Sequence, residues 1–171
     1  MREHTMANDA YNESTRLIIR ATLIAGFLDL SSAFVYAMLE GHPPLGVLFA
    51  IASGVWPGAR NAGLAGMLAG VLLHFAIMSV MVWVYVMLAR RREWAVRHPF
   101  IAGSLYGLGL WCVMYLIVLP LRWPAILQRV SMVSLGEQWF SHIVLVGVPI
   151  ALLAARDRQP LLRKVAMAMD G

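Results

Sequence analysis

Residues 64–92 read LAGMLAGVLLHFAIMSVMVWVYVMLARRR, and this stretch decides the fold. From Leu64 to Ala89 it contains no Asp, Glu, Lys or Arg, and then three arginines follow in a row. A helix rises about 1.5 Å per residue and a bilayer core is about 30 Å thick, so roughly 20 apolar residues cross it. The run meets that length, and the arginines mark where it leaves hydrocarbon for water. Working outward, three more runs have the same character. The first spans about Leu17 to Leu39 and the third about Phe100 to Leu121. The fourth spans about Trp139 to Ala155, the shortest, with its length completed by the polar turn before it.

Composition agrees with lipid as the solvent. Of the 171 residues, 60% are apolar and 13% charged, against about a quarter charged in soluble domains. The net charge of +5 does not point to nucleic acid, because the basic residues sit in short segments between apolar runs. The single Cys112 excludes an internal disulfide and a multi-cysteine metal site. The first apolar run follows a polar stretch, carries Arg20 and Asp29, and is too long for a signal peptide, so it reads as a retained helix.

The arginines also predict an orientation. Arg2 and Arg16 precede the first run, and Arg20, one turn inside it, can snorkel to the same side. Arg90, Arg91, Arg92 and Arg97 fall in the next loop on that side, and Arg156, Arg158, Arg163 and Lys164 follow the last run. The opposite side holds only Arg60, Arg122 and Arg129. Basic loops stay in the cytoplasm, so the bias predicts an inner-membrane protein with both termini inside. Residues 1–16 and 156–171 are then cytoplasmic tails around one transmembrane domain, residues 17–155. Tyr36, Trp56, Trp123 and Trp139 fall near one interface and Trp83, Tyr85 and Trp94 near the other, where amphipathic rings are favoured.

Two outer loops carry apolar residues of their own. Leu45 to Trp56, bracketed by Pro43-Pro44 and Pro57-Gly58, is too short to cross and reads as an interfacial helix. Ala125 to Leu135 places Ile126, Leu127, Val130 and Val133 at helical spacing and reads as an amphipathic surface helix. The expected fold is therefore all-α: a polytopic bundle of four transmembrane helices plus two short outer helices.

Small residues mark packing faces. Gly66 and Gly70, Gly103 and Gly107, and Ala21 and Ala25 each recur at a spacing of four, which lets backbones approach in lipid. They serve packing within the bundle or docking of a second membrane chain. Asp29 lies near the middle of the first helix, where an ionised carboxylate costs about 2.5–3.5 kcal/mol. Arg20 is a poor partner, on the opposite face and about 13 Å away along the axis. His74 falls at similar depth on the second helix, so Asp29 and His74 form the expected intramembrane polar pair, structural or proton-relaying. His142 reads as close to the outer surface, which separates it in depth from His74 and argues against a haem shared between them. No zinc or haem-attachment motif and no nucleophile elbow occurs, so no cofactor, metal or catalytic residue is expected.

The segments LIAGFLDLSSAFVYAML (residues 23–39), LFAIASGVWPGARNAGLAG (48–66), LLHFAIMSVMVWVYVMLARR (72–91), HPFIAGSLYGLGLWCVMYLIVLPL (98–121) and GVPIALLAAR (147–156) together resemble uncharacterised bacterial inner-membrane proteins of the YagU-like type. The resemblance implies the membrane topology and a bacterial source, and transfers no active-site residue. The leading expectation is a non-enzymatic accessory or stabilising subunit of a membrane complex. The alternative is a small oligomeric transporter or channel with Asp29 and His74 in its path, and a haem-binding or redox-linked subunit stands third. The expected partners are the lipid bilayer and either further copies of the chain or other membrane subunits, not nucleic acid.

Overall fold

The computed structural model describes the backbone of residues 2–129 and 131–169, and the side chains of residues 13–126 and 131–158. It is all-α, with no strand among the described residues. Helix α1 (Arg2–Leu39) is followed by α2 (Gly46–Ser53), a 3-10 turn (Ala59–Ala62), α3 (Leu64–Arg91) and the short α4 (Glu93–Arg97). Then come α5 (Pro99–Val113), α6 (Leu119–Arg122), a 3-10 turn (Pro124–Arg129), α7 (Met132–Trp139) and α8 (Val148–Met169). A π-helical stretch, Met114–Val118, fuses α5 to α6, and another, Phe140–Gly147, fuses α7 to α8. Four helical rods result, Glu13–Leu39, Leu64–Arg91, Pro99–Arg122 and Met132–Arg158, each long and apolar enough to cross a membrane.

The ends of the rods have local causes. After Leu39 the chain reverses through Gly41 at φ +75°, with His42 N–H bonded to the Ala37 carbonyl and Gly41 N–H to that of Met38. That is a Schellman closure, and glycine suits its left-handed position. Pro43 and Pro44 then prevent the helix from resuming. At the far end of α3, Arg158 Nη1 donates to the Ala89 carbonyl at 2.6 Å, which also accepts from Arg92 N–H at 3.4 Å. Arg90 donates to Ser14 Oγ, tying the same end of α3 to α1.

Two boundaries differ from the sequence reading. The second outer segment is not one helix from Ala125 to Leu135. It is a 3-10 turn that gives way at Ser131 to the start of the fourth rod. Ser131 is extended, at φ −94° and ψ 164°, and its Oγ accepts from Ser134 N–H at 3.0 Å, a side-chain N-cap. The fourth rod thus begins at Met132 rather than Trp139, and Val133 belongs to it. The side chains of Leu127 and Val130 lie outside the described residues. Helix continues beyond the rods at both ends of the chain, since α1 begins at Arg2 and α8 runs on to Met169.

The fourth rod packs against α1, α5 and α3, and α3 packs against α1 and α2. The core draws Leu17, Ala21 and Ala25 from α1, Val82, Tyr85, Val86 and Ala89 from α3, and Ile150, Ala151 and Ala154 from α8. These residues lie toward the arginine-rich end of the bundle. There the alanines bring backbones close, so the rods are tightly packed. The surface is apolar, with Leu72, Leu121 and Leu39 more than 70% exposed, as a lipid-facing surface requires.

The glycine faces are filled by the chain itself. A Cβ on Gly66 would collide with the Ala59 carbonyl, and one on Gly70 with the Leu48 carbonyl, so this pair seats α2 and its 3-10 turn against α3. A Cβ on Gly103 would lie 2.7 Å from the Gly147 oxygen, and one on Gly107 would collide with the His142 oxygen. This second pair therefore seats the fourth rod. Ala21 and Ala25 are fully buried in the core.

Candidate functional site

Toward the loop end of the bundle the rods part, and two cavities open between them. One, of about 550 Å³, has the more polar wall, which includes Asp29, Tyr36, Ser134, Glu137, Gln138 and His142. The other, of about 570 Å³, is mostly apolar and includes Met78, Met81, Met114, Trp123 and Val146. Asp29, Ala33, Val47, Tyr115 and His142 line both, so the cavities meet at these five residues, three of them polar. Each volume falls within the roughly 300–1,000 Å³ of ligand sites.

Asp29 comes from α1, half-buried, with both His142 and His74 in electrostatic reach. Among the described residues, no hydrogen bond reaches its carboxylate, and the one ion pair is the surface contact of Arg97 with Glu93. Cavity water would lower the cost of a charge here, because the group does not face hydrocarbon. Arg20 is exposed.

The expected Asp29–His74 pair is only partly realised. His74 is buried and lines the apolar cavity with Asp29, but its Nε2–H donates to the Gly26 carbonyl at 2.9 Å. Its bond therefore joins α3 to the backbone of α1, one turn from the carboxylate. Phe75 crowds the same glycine, since a Cβ on Gly26 would lie 2.7 Å from its ring. Asp29 shares two cavities with His142 and only one with His74. Sequence reasoning placed His142 too shallow because it started the fourth helix at Trp139. The earlier start at Met132 sinks His142 by about two turns. The depth difference that set the two histidines apart is therefore absent, and both rings reach the apolar cavity.

His142 is held on several sides. Its Nδ1–H donates to the Gln138 carbonyl at 3.0 Å. The Tyr115 ring meets it edge-on, with centroids 5.6 Å apart. Tyr115 stacks on Trp111, whose Nε1–H donates to Gln138 Oε1 at 3.0 Å. Gln138 Nε2 in turn donates to Ser134 Oγ at 2.8 Å. The third and fourth rods are thus fastened by one polar and aromatic network beside the cavities. Across the site, Ser141 and Ser32 share a 2.9 Å hydroxyl contact between the fourth rod and α1, and Ser32 Oγ donates to the Asp29 carbonyl at 2.8 Å.

The two π-helical stretches supply these groups. Tyr115 lies in the first, Ser141 and His142 in the second. Each ends two residues before a proline, Pro120 and Pro149. Proline lacks the N–H of the normal ladder, and its ring clashes with the carbonyl four residues back. Widening the preceding turn relieves that clash: Leu119 N–H bonds the Met114 carbonyl and Val148 N–H that of Ile143, each five residues back. An inserted residue turns the register by about 100°, which re-aims the side chains that precede the proline. The two prolines were the signal in the sequence that the site reading passed over.

Among the described residues no three of His, Cys, Asp and Glu gather closely enough to hold a metal ion. Cys112 is a half-buried free thiol. Comparison with protein-family models, curated proteins and solved structures finds no match.

Proposed function

We propose that the chain is a small non-enzymatic protein of a bacterial inner membrane, with both termini in the cytoplasm, that carries a small solute through the cleft at Asp29. The observation behind this reading is the meeting of a polar and an apolar cavity at Asp29, His142 and Tyr115. A carboxylate inside a membrane helix is costly and, by default, marks a pathway or a binding site. Arginine bias and the resemblance to YagU-like proteins support the membrane and the orientation. The accessory-subunit reading draws less support, because the glycine faces that would dock another chain are covered by α2 and by the fourth rod.

The test is carbodiimide labelling of Asp29 in native membranes, read by mass spectrometry across a range of pH. A water-accessible carboxyl labels readily when protonated and less as it ionises. Absence of labelling at every pH, with the protein folded, would rule out a solute path through Asp29.

A further inference from the structure

Building on that reading of the cleft, we propose that its ligand is an amphiphile with an ammonium head, seated at Asp29, and an apolar body in the methionine-lined cavity. The hydrogen-bond directions around the site carry the argument. His142 uses Nδ1–H on the Gln138 carbonyl and His74 uses Nε2–H on the Gly26 carbonyl. A neutral imidazole has one donor and one acceptor, so each ring keeps only its acceptor nitrogen. Ser32 donates to the Asp29 carbonyl, which leaves Ser141 as the donor in the hydroxyl pair. The Asp29 carboxylate accepts only. The Tyr115 hydroxyl is the one uncommitted side-chain donor among the residues that line both cavities, so acceptors outnumber donors around the junction and a donating head matches it.

Charge points the same way. Asp29, Glu40 and Glu137 line the polar cavity against one guanidinium, that of Arg60. Arg60 and Arg122 are both exposed, and Arg122 lies over the Trp123 ring, 5.4 Å from its centroid. Both arginines therefore stand at the rim and away from the junction. Glu40 is exposed like the arginines, so the carboxylates left inside the cavity are those of half-buried Asp29 and Glu137, from which an ammonium gains and which an anionic head would meet unpaired.

The apolar cavity determines the rest of the ligand. Met78, Met81 and Met114 give it a soft, adaptable wall that accepts varied apolar shapes. Its rim includes Val55, Val118 and Leu121, all exposed on the face that lipid would cover. A ligand body can therefore enter sideways from the bilayer while its head stays in the polar cavity. Such a ligand comes either from solution, as a lipophilic amine, or from the bilayer, as an aminophospholipid.

Three probes with one body and three heads test this: 4-phenylbutylammonium, 4-phenylbutanol and 4-phenylbutyrate. Each is titrated calorimetrically into the full chain in phosphatidylglycerol nanodiscs, with empty nanodiscs as the blank. The amine should bind at least tenfold more tightly than the alcohol, and the carboxylate should give no measurable binding. Asp29→Asn should bring the amine to the level of the alcohol. Ala33→Phe narrows the junction without changing charge, and should weaken amine and alcohol together. It keeps the test decisive if Asp29→Asn does not fold. Equal binding of all three heads, or an amine affinity unchanged by both variants, would overturn the proposal. Absence of amine binding while Asp29 still labels with carbodiimide overturns the ligand class and leaves the solute path standing. Absence of both removes the two together. Weaker amine binding in nanodiscs that contain phosphatidylethanolamine supports the proposal with the lipid as source, and unchanged binding there supports it with the soluble amine.

Discussion

At the scale of single residues, the polar groups of this bundle divide by what their hydrogen bonds do. His74 is a fastener, because its buried ring bonds a main-chain carbonyl of α1. Asp29 and His142 are different, since both border the two cavities, whereas His74 borders only the apolar one. A double-mutant cycle separates these roles. His74→Ala should destabilise the protein by about 0.6 kcal/mol, and by at most about 1.7, the range for interhelical hydrogen bonds in membranes. Combined with Asp29→Ala its effect should be near additive, because Gly26 offers a backbone acceptor that the Asp29 change leaves intact. Asp29→Ala combined with His142→Ala should be non-additive, by at least about 0.5 kcal/mol, since the two face one another across the same cavities. Unfolding in detergent measures all three variants and both doubles. Strong coupling to His74 and none to His142 would restore the pairing expected from the sequence.

At the scale of elements, glycine decides how closely the rods approach, and proline decides where their side chains point. Gly103 and Gly109 share α5 but not a role. A Cβ on Gly103 meets the backbone of the fourth rod, whereas one on Gly109 meets nothing within 4 Å. Gly103→Leu should therefore cost about 1–3 kcal/mol, the usual cost of overpacking, or dissociate the rods outright. Gly109→Leu should be close to neutral, or slightly stabilising through better helix propensity. Comparing the midpoints of thermal unfolding in detergent checks the contrast. Equal losses would mean that α5 does not meet the fourth rod at Gly103. The prolines act on register. Pro120 and Pro149 open π-helical turns beside the cavities, and those turns bring Tyr115 and His142 to Asp29. Small-residue spacing is visible in a sequence, so Gly103 and Gly107 could be read as a packing face. Their partner could not, because Gly147 and Ala151 become contacts only once the fourth rod lies across α5.

At the scale of the whole molecule, one end of the bundle is closed and the other is open. Alanines and aliphatic residues close the arginine-rich end, and the loop end holds the cavities. If Asp29 serves a path from outside, the open end must face the periplasm. Reporter fusions after Arg92 and after Arg158 should read cytoplasmic, and fusions near Arg60 and Arg129 periplasmic. A periplasmic signal at Arg92 would invert the orientation and turn the cavities toward the cytoplasm.

The four rods, the short α2 and the all-α class were legible in the residues because each is a local matter. In lipid every segment must satisfy its own backbone hydrogen bonds, so an apolar run of sufficient length is a helix wherever it lies in the fold. Arg20 could be dismissed as a partner for Asp29 by helical geometry alone. The groups that face Asp29 were not legible, because they depend on where the fourth rod starts and how two prolines shift its register and that of the third. Ser131 caps that start, and the π-helical turns set the angles of Tyr115 and His142. A one-residue change in either would aim those side chains elsewhere and leave the hydropathy of the chain unchanged. The sequence by itself thus determined that four helices are long and apolar enough to cross a membrane, and roughly where they lie, the start of the fourth excepted. Only the tertiary structure decided that His142, rather than His74, shares both cavities with Asp29, because that depends on register and packing between rods that are far apart in the chain.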